Sequence, residues 1–376
     1  MVHRDTVALT EQQRLVRESM RDLCGDFDAA YWREKDAAGE YPREFVDALA
    51  EHGWFGALIP EEYDGAGMST AEVVVMMEEI AATGGGFSAA QAVHGAIYNS
   101  VPLVKYADEG LKRDLLPKVA RGERSIQAFG LTEPNVGSDS TAIATTADRV
   151  EEAGDGGSAE YVVNGQKIWT SRVDESDYLL LMARTTPREE VAKRTRGISM
   201  FLVDLAAAFE AGSLQMERID KTASNFVHSF ELWFDDLRLD ESALVGEEGE
   251  GFYQMLDGLN EERLVIAAEC VGLGELAVEA GSEYASEREV FGQPIGANQA
   301  VQHPLAEAYA RVQAAKQTVY SAADAAVQTH GGFGVAREYD VERYFREARL
   351  TRLVPVTQEL ALNFVGENVL DLPRSY

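Results

Sequence analysis

Two short stretches and one helix carry the residue types from which chemistry can be built. The first stretch is Leu131–Asp139, LTEPNVGSD, and the second is Trp169-Thr170-Ser171. Gly137 lets the backbone approach a ligand, and the amide and hydroxyl of Ser138 can face a phosphate. Thr132 offers a donor and an acceptor to the edge of a planar heterocycle, and Trp169 offers a flat apolar wall for its ring. A Pro-Asn-Val-Gly-Ser run is also what an ordinary turn looks like, and taken alone it reads as one. The helix contains Leu259-Asn260-Glu261-Glu262-Arg263-Leu264, in which Leu259, Glu262 and Ile266 share a face. A carboxylate in an apolar stripe is rare unless it has a partner or a task. The partner reading is a structural ion pair with Arg263 or another arginine. The task reading is proton transfer, because a carboxylate kept from water gains proton affinity. Glu261 points about 100° away and should be solvated.

The elements that must position these residues follow from periodicity. Up to residue 125 or so the chain reads as helices, with Phe45, Leu49 and Gly53 on one stripe and Val73, Met76, Met77 and Ile80 on another. Asp64–Gly67 is a loop, and Ser69 or Thr70 with Glu72 can start the next helix. Gly84-Gly85-Gly86 lacks the Lys-Ser/Thr of a phosphate loop and is read as close backbone packing. The pattern then changes to strands. Tyr161–Val163, Asn164-Gly165 and Gln166–Trp169 have the signature of a two-residue hairpin, and Tyr178–Ala183, Gly197–Leu205 and Ser229–Phe234 are β-rich runs. Asp148–Ser158 reads as an exposed loop. From Gly251 the helical period returns in Phe252, Met255, Leu259, Ile266, Cys270, Leu273 and Ala277.

Five segments in order, LTEPNVGSD, KIWTS (Lys167–Ser171), EREVFGQPIGANQAVQHPL (Glu287–Leu305), QTHGGFG (Gln328–Gly334) and EYDVERYFREAR (Glu338–Arg349), resemble the acyl-CoA dehydrogenase family. The resemblance spans almost the whole chain and implies an α+β fold in three parts. These are an N-terminal helical domain (1–125), a middle β-barrel-like or sandwich domain (126–240) and a C-terminal helical bundle (241–376). It implies FAD held between the last two, with a neighbouring subunit completing the site. By matching position, Leu131, Thr132, Gly137 and Ser138 would meet the flavin pyrimidine and pyrophosphate. Trp169, Thr170 and Ser171 would line the ring. Arg288 and Gln299 would reach a neighbour's cofactor, as would Gln328, His330, Gly331 and Gly332, and Thr357 would also lie against FAD. Arg288 as a plain ion-pair partner and His330 as a helix cap are the alternatives. Ser138, Asn260 and Arg263 would contact the acyl-CoA. The implied reaction is α,β-dehydrogenation of the thioester to a trans-2-enoyl-CoA, with electrons passed to an electron-transfer flavoprotein by a homo-oligomer. An acyl-CoA oxidase, or a redirected or inactive flavin- or CoA-binding homologue, is the alternative.

The chain departs from the family in two places. Most members carry the catalytic Glu late in the sequence, where Pro355 stands here. A subgroup carries it on the first helix of the C-terminal domain, where Glu262 matches, so the resemblance makes Glu262 the α-proton acceptor. Between Gln299 and Gln328 this chain is shorter than the family pattern by about 25–30 residues, roughly 20 Å from each of two helices, which leaves dimer versus tetramer open.

Composition bounds the rest. Net charge is −30, from 64 acidic and 34 basic residues, and the charge is spread along the chain. That excludes nucleic acid or an anionic membrane as a general surface partner. No apolar run approaches the roughly 20 residues of a membrane helix, the start lacks a secretory apolar core, and no metal site is expected. Cys24 and Cys270 stand far apart, which suits a reducing cytoplasm. The acidic surface is of the kind suited to high salt, so urea midpoints are expected to rise with added salt. A folded state indifferent to molar salt would count against this.

Overall fold

The computed structural model describes residues 9–151, 159–314 and 340–350. Side-chain caps open the first helices. Thr10 and Gln13 form a reciprocal box at α1 (Glu11–Gly25), and Asp28 caps α2 (Ala29–Ala38). After α3 (Arg43–Glu51), Ser69 and Glu72 open α4 (Thr70–Ala81) with a second box, as their spacing predicts. Then come α5 (Gly86–Tyr98), α6 (Ser100–Tyr106) and α7 (Glu109–Ala120).

The middle of the chain forms one eight-stranded sheet from β1 (Ala128–Gly130), β2 (Thr146–Glu151), β3 (Ala159–Ser171), β4 (Tyr178–Arg184), β5 (Ile198–Asp204), β6 (Leu214–Arg218), β7 (Ser229–Asp240) and β8 (Leu244–Val245). A short α8 (Leu205–Glu210) follows β5. The strand order is β6-β7-β3-β2-β4-β5-β8, and β1 lies parallel to β4. The continuous apolar run of β4 is explained by burial on both faces. Leu179 and Leu181 pack with Tyr161, Phe201 and Leu232, while Leu180 and Met182 pack with Leu115, Val119 and Met200.

The hairpin expected at Asn164-Gly165 is absent. β3 runs through both residues, pairing with β2 on one side and β7 on the other. The register against β7 slips between Val163 and Gly165, where Asp235 and Asp236 of β7 stand opposite Asn164 alone, so the β-bulge is on β7, with Asp236 at φ +48. Gly165 sits at φ +147, and a Cβ there would stand 2.7 Å from Thr145. Asn164 is taken up by Asp236 on β7, donating to its Oδ1 at 3.0 Å and accepting from its amide at 2.8 Å. Of the expected loop Asp148–Ser158, residues 148–151 are strand β2, and 152–158 lie outside the described residues.

The 37-residue α9 (Gly251–Glu287) is the spine. It packs against α4, α5 and α6, and close approach is built in at two glycines. A Cβ on Gly272 would stand 2.2 Å from the Glu78 carbonyl, and one on Gly258 would stand 2.9 Å from Pro102. Beyond it lie a two-stranded ribbon, β9 (Glu289–Val290) and β10 (Gln293–Pro294), then α10 (Gln299–Ala314) and α11 (Val341–Leu350). Phe87, Ile266, Leu273, Val312 and Tyr344 form the core that joins α5, α9, α10 and α11. The architecture is thus helical, then β, then helical. Residues 315–339, which include the second part of the shortened hairpin, are outside the described set. No helix among the described residues is long and apolar enough to cross a membrane.

Gly84–Gly86 is a packing device, as its sequence suggests. The buried Arg343 donates to the carbonyls of Gly84 at 2.7 Å and Gly85 at 3.1 Å. A Cβ on Gly85 would stand 2.4 Å from that of Ala89 and 2.7 Å from the Trp32 ring. Gly85→Ala is therefore expected to cost about 1–3 kcal/mol by overpacking, read as a lowered urea midpoint. An unchanged midpoint would show that Trp32 yields freely.

Candidate active site

The segment Leu131–Asp139 leaves β1 and is fixed from below by a buried ion pair. Glu133 and Val136 exchange amide-to-carbonyl bonds, both 3.0 Å, which closes the turn. The Glu133 carboxylate accepts from the amides of Ala144 at 2.7 Å and Thr145 at 2.9 Å, from the Thr145 hydroxyl, and from Lys167 Nζ at 2.8 Å. Lys167 also donates to the Leu131 carbonyl at 3.2 Å, and the Ile168 amide donates to that of Thr132 at 2.9 Å. Burial pushes the Lys167 ammonium down to about 8, against the pull of Glu133. Burial also works against the Glu133 carboxylate, but Lys167 and the two amides hold it below its usual range. The pair sews LTE to KIW, a role that neither residue shows in sequence.

Above that pair the backbone is bent to present an aromatic ring. Trp169 adopts φ +62, left-handed for a residue with a Cβ, at a register slip between Lys167 and Thr170. Its indole is 55% exposed. Next to it, the Thr170 hydroxyl is buried without a partner among the described residues, and Ser171 Oγ lies 2.9 Å from Ser229 Oγ. Leu131 and Thr132 are half-buried, whereas Gly137 and Ser138 are exposed, and a Cβ added at Gly137 would meet nothing within 4 Å. An open Gly-Ser backbone, an exposed ring held in a strained conformation and an orphaned hydroxyl suit a flavin nucleotide. They are costly features for a chain that binds nothing.

Glu262 is buried on α9 at 9% exposure. Its carboxylate accepts from the Tyr98 hydroxyl of α5 at 3.3 Å, its one hydrogen bond among the described residues. No ion pair to Arg263 forms, since Arg263 turns outward and donates to Asn260 at 2.8 Å, both side chains being exposed. Burial drives the proton affinity of Glu262 up to about 7, with Tyr98, Arg172 and Arg263 opposing. Glu261 is not solvated as expected. It is half-buried and accepts from Thr70, because α4 lies along that side of α9. One helical turn pair further along, Glu269 is fully buried and accepts from Gln91 at 2.6 Å, with His94 Nδ1 at 3.2 Å. The polar group of Tyr98, Gln91, His94 and Glu269 gave no sequence signal, because the helical spacing of the first three does not reveal that Glu269, 175 positions beyond His94, faces them.

The structure groups Leu131, Thr132, Trp169, Thr170 and Ser171 around β1 and β3. Arg288 and Gln299 are exposed at the other end of α9, and Arg288 lies roughly 40 Å from Glu262 along the helix. Arg288 has no ion pair among the described residues, so the surface-pair alternative finds no support. Gln328, His330, Gly331, Gly332, Pro355 and Thr357 lie outside the described residues. A cleft of about 640 Å³ lined by Leu202, Asp204, Leu237 and Leu239 contains none of these groups.

Comparison with known proteins gives a consistent result. Models of the N-terminal, middle and C-terminal acyl-CoA dehydrogenase domains match residues 10–123, 128–237, and 249–325 with 321–370. An acyl-CoA dehydrogenase of Mycobacterium tuberculosis is 31% identical over 401 residues, covering 98% of both chains. The mitochondrial isovaleryl-CoA dehydrogenase of Pongo abelii is 29% identical, over 95% of this chain and 88% of its own. The structure of butyryl-CoA dehydrogenase from Megasphaera elsdenii superposes with a TM-score of 0.85 at 26% identity, covering 97% of this chain and 99% of that one.

The raised proton affinity of Glu262 has a thermodynamic signature. The folded carboxyl takes its proton near pH 7 and the unfolded one near 4.5. The folded state binds the extra proton between these values, so stability falls as pH rises through that window. Glu262→Gln is expected to be more stable than the parent by about 3 kcal/mol at pH 8 and closely matched at pH 5. Equal urea midpoints at pH 8 would mean that the carboxylate is hydrated.

Proposed function

The chain belongs to the acyl-CoA dehydrogenase family of FAD-dependent oxidoreductases, and from that premise we propose that Glu262 is the base that takes the α-proton of an acyl-CoA thioester. The observation that carries this reading is a buried carboxyl on α9 with a tyrosine hydroxyl for company and no ion-pair partner among the described residues. A buried structural glutamate is ordinarily paired or more fully hydrogen-bonded, as Glu269 is by Gln91 and His94, whereas Glu262 has the single bond from Tyr98 among the described residues. With proton affinity near neutrality, the carboxylate is available at pH 7 and still basic enough to accept from carbon.

Leu131, Thr132, Gly137, Ser138, Trp169, Thr170 and Ser171 would hold FAD, which when bound supplies the acceptor for the hydride leaving the β-carbon. Glu262 gains the α-proton, the Cα–Cβ bond becomes double, and the product is a trans-2-enoyl-CoA. Ser138, Asn260 and Arg263 are proposed for the CoA arm, and the outward turn of the last two supports a solvent-side contact. Arg288 and Gln299, so far from Glu262, are proposed to serve the flavin of a second copy in a homo-oligomer. The segments 1–125, 126–240 and 241–376 are proposed as the folding domains, and an electron-transfer flavoprotein as the acceptor of the electrons.

The test is anaerobic bleaching of the bound flavin by a panel of acyl-CoAs. Glu262→Gln should keep its yellow cofactor and lose about 10²–10⁴-fold in bleaching rate. In the parent the rate should climb with pH through about 7 and level off above, because the ionised carboxyl is the active form. A Glu262→Gln enzyme that bleaches at the parental rate would end the proposal.

A further inference from the structure

Arg172 takes no part in the steps above, and its surroundings are unusual. It follows β3 at φ +60 and is 4% exposed. A buried guanidinium ordinarily faces a carboxylate. Among the described residues this one bonds only carbonyl oxygens, that of Gln91 at 2.5 Å and that of Gln127 at 3.4 Å, and its Nε has no acceptor. Room is made for it on α5, where a Cβ at Gly95 would stand 2.8 Å from its Nη2.

Gln91, His94, Gly95 and Tyr98 fall at i, i+3, i+4 and i+7 and form one stripe of α5. The same stripe meets two carboxyls from one face of α9, Glu262 through Tyr98 and Glu269 through Gln91 and His94. One face of α5 therefore meets both the cation, unpaired among the described residues, and the carboxyl assigned as base. We propose that Arg172 is the buried counter-charge of that base, a positioning residue that favours the ionised form of Glu262 through space without touching substrate.

The other groups facing this region do not supply the charge. Burial pushes the Glu269 carboxyl well above its usual range, against the pull of Gln91 and Arg172, and burial first and Arg172 second push His94 well below its own. Tyr98 is neutral, its hydroxyl pushed well up by burial and by Glu262. Arg263 is exposed and screened by solvent, and the half-buried Lys221 is driven down to about 8 by burial, Arg172 and Arg218. From α4, Glu72 is bonded to Ser69 and Glu79 to Arg17 and Arg21, and Arg17 also pairs with Glu78. From α6, Lys105 and Tyr106 are taken up by Asp257. From α10, Gln313 donates to Glu275, and from α11, Arg343 pairs with Glu347.

The inference rests on the reading of Glu262 as base, and two readouts separate the claims. In the FAD-loaded full chain, the protonated-carboxyl infrared band of Glu262 is identified by its loss in E262Q and titrated with pH. R172Q and R172M should move its midpoint up by on the order of one pH unit, and R172K should keep it near the parental value. Either neutral variant that folds suffices. An unmoved midpoint in a neutral variant, or an equal rise in R172K, overturns the proposal. The second readout is the acid limb of anaerobic flavin reduction, which should follow the band. A band that moves while the limb stays put would leave the counter-charge standing and remove Glu262 as the base.

Discussion

Withdrawing one carboxylate from water is the constraint around which this structure is arranged. An ionised carboxyl without compensation is among the most costly groups to bury. Here it is placed on a helix of 37 residues whose position is over-determined by packing. Gly272 presses α9 against the backbone of α4 and Gly258 presses it against Pro102 at the start of α6, so the helix can neither slide nor roll to hydrate the side chain. The polar stripe of α5 then offers a hydroxyl and a distant cation in place of water. The carboxyl is left between its two protonation states near neutral pH, which is where a proton acceptor must sit.

Cations are used inside this protein in a way that the surface charge conceals. The chain carries a net charge of −30, yet several basic side chains are buried and bonded to main-chain carbonyls. Arg172 ties α5 to the approach to β1, and Arg343 ties α11 to the glycines before α5. Arg184 holds the carbonyls of Thr141, Ile143 and Arg196 around the end of β4, and Lys167 holds that of Leu131. Each closes a junction where chain segments meet without regular hydrogen bonding, and a planar guanidinium with five donors suits such places. Acidic residues cover the exterior, while arginine joins the interior layers.

Much of this was legible along the chain because it is local. The Ser69–Glu72 box, the glycine run and the apolar face of α9 each depend on residues within a few positions of one another. What misled was also local. Asn164-Gly165 has hairpin chemistry, but β2 and β7 flank β3 on both sides, so the dipeptide stays in the strand and β7 bulges opposite it. Glu261 was placed toward solvent by its helical angle alone, and the presence of α4 on that side was decided elsewhere. Lys167 alternates within a strand like any other residue until Glu133, 34 positions earlier, is folded beneath it.

The sequence by itself determined the order of helical and β parts, the segments suited to a flavin and the apolar face that carries Glu262. The first and the last are set by short-range periodicity, and the flavin segments stand out through their resemblance to a family motif. Only the tertiary structure decided that Glu262 has no ion pair among the described residues, that Tyr98 is its hydrogen-bond donor, and that Arg172 meets the same stripe of α5. Those relations join residues some 70 to 160 positions apart, and no spacing in a linear chain encodes which surfaces will close on each other. The proton affinity of a carboxyl is a property of that closure, because it depends on what replaces water around the group.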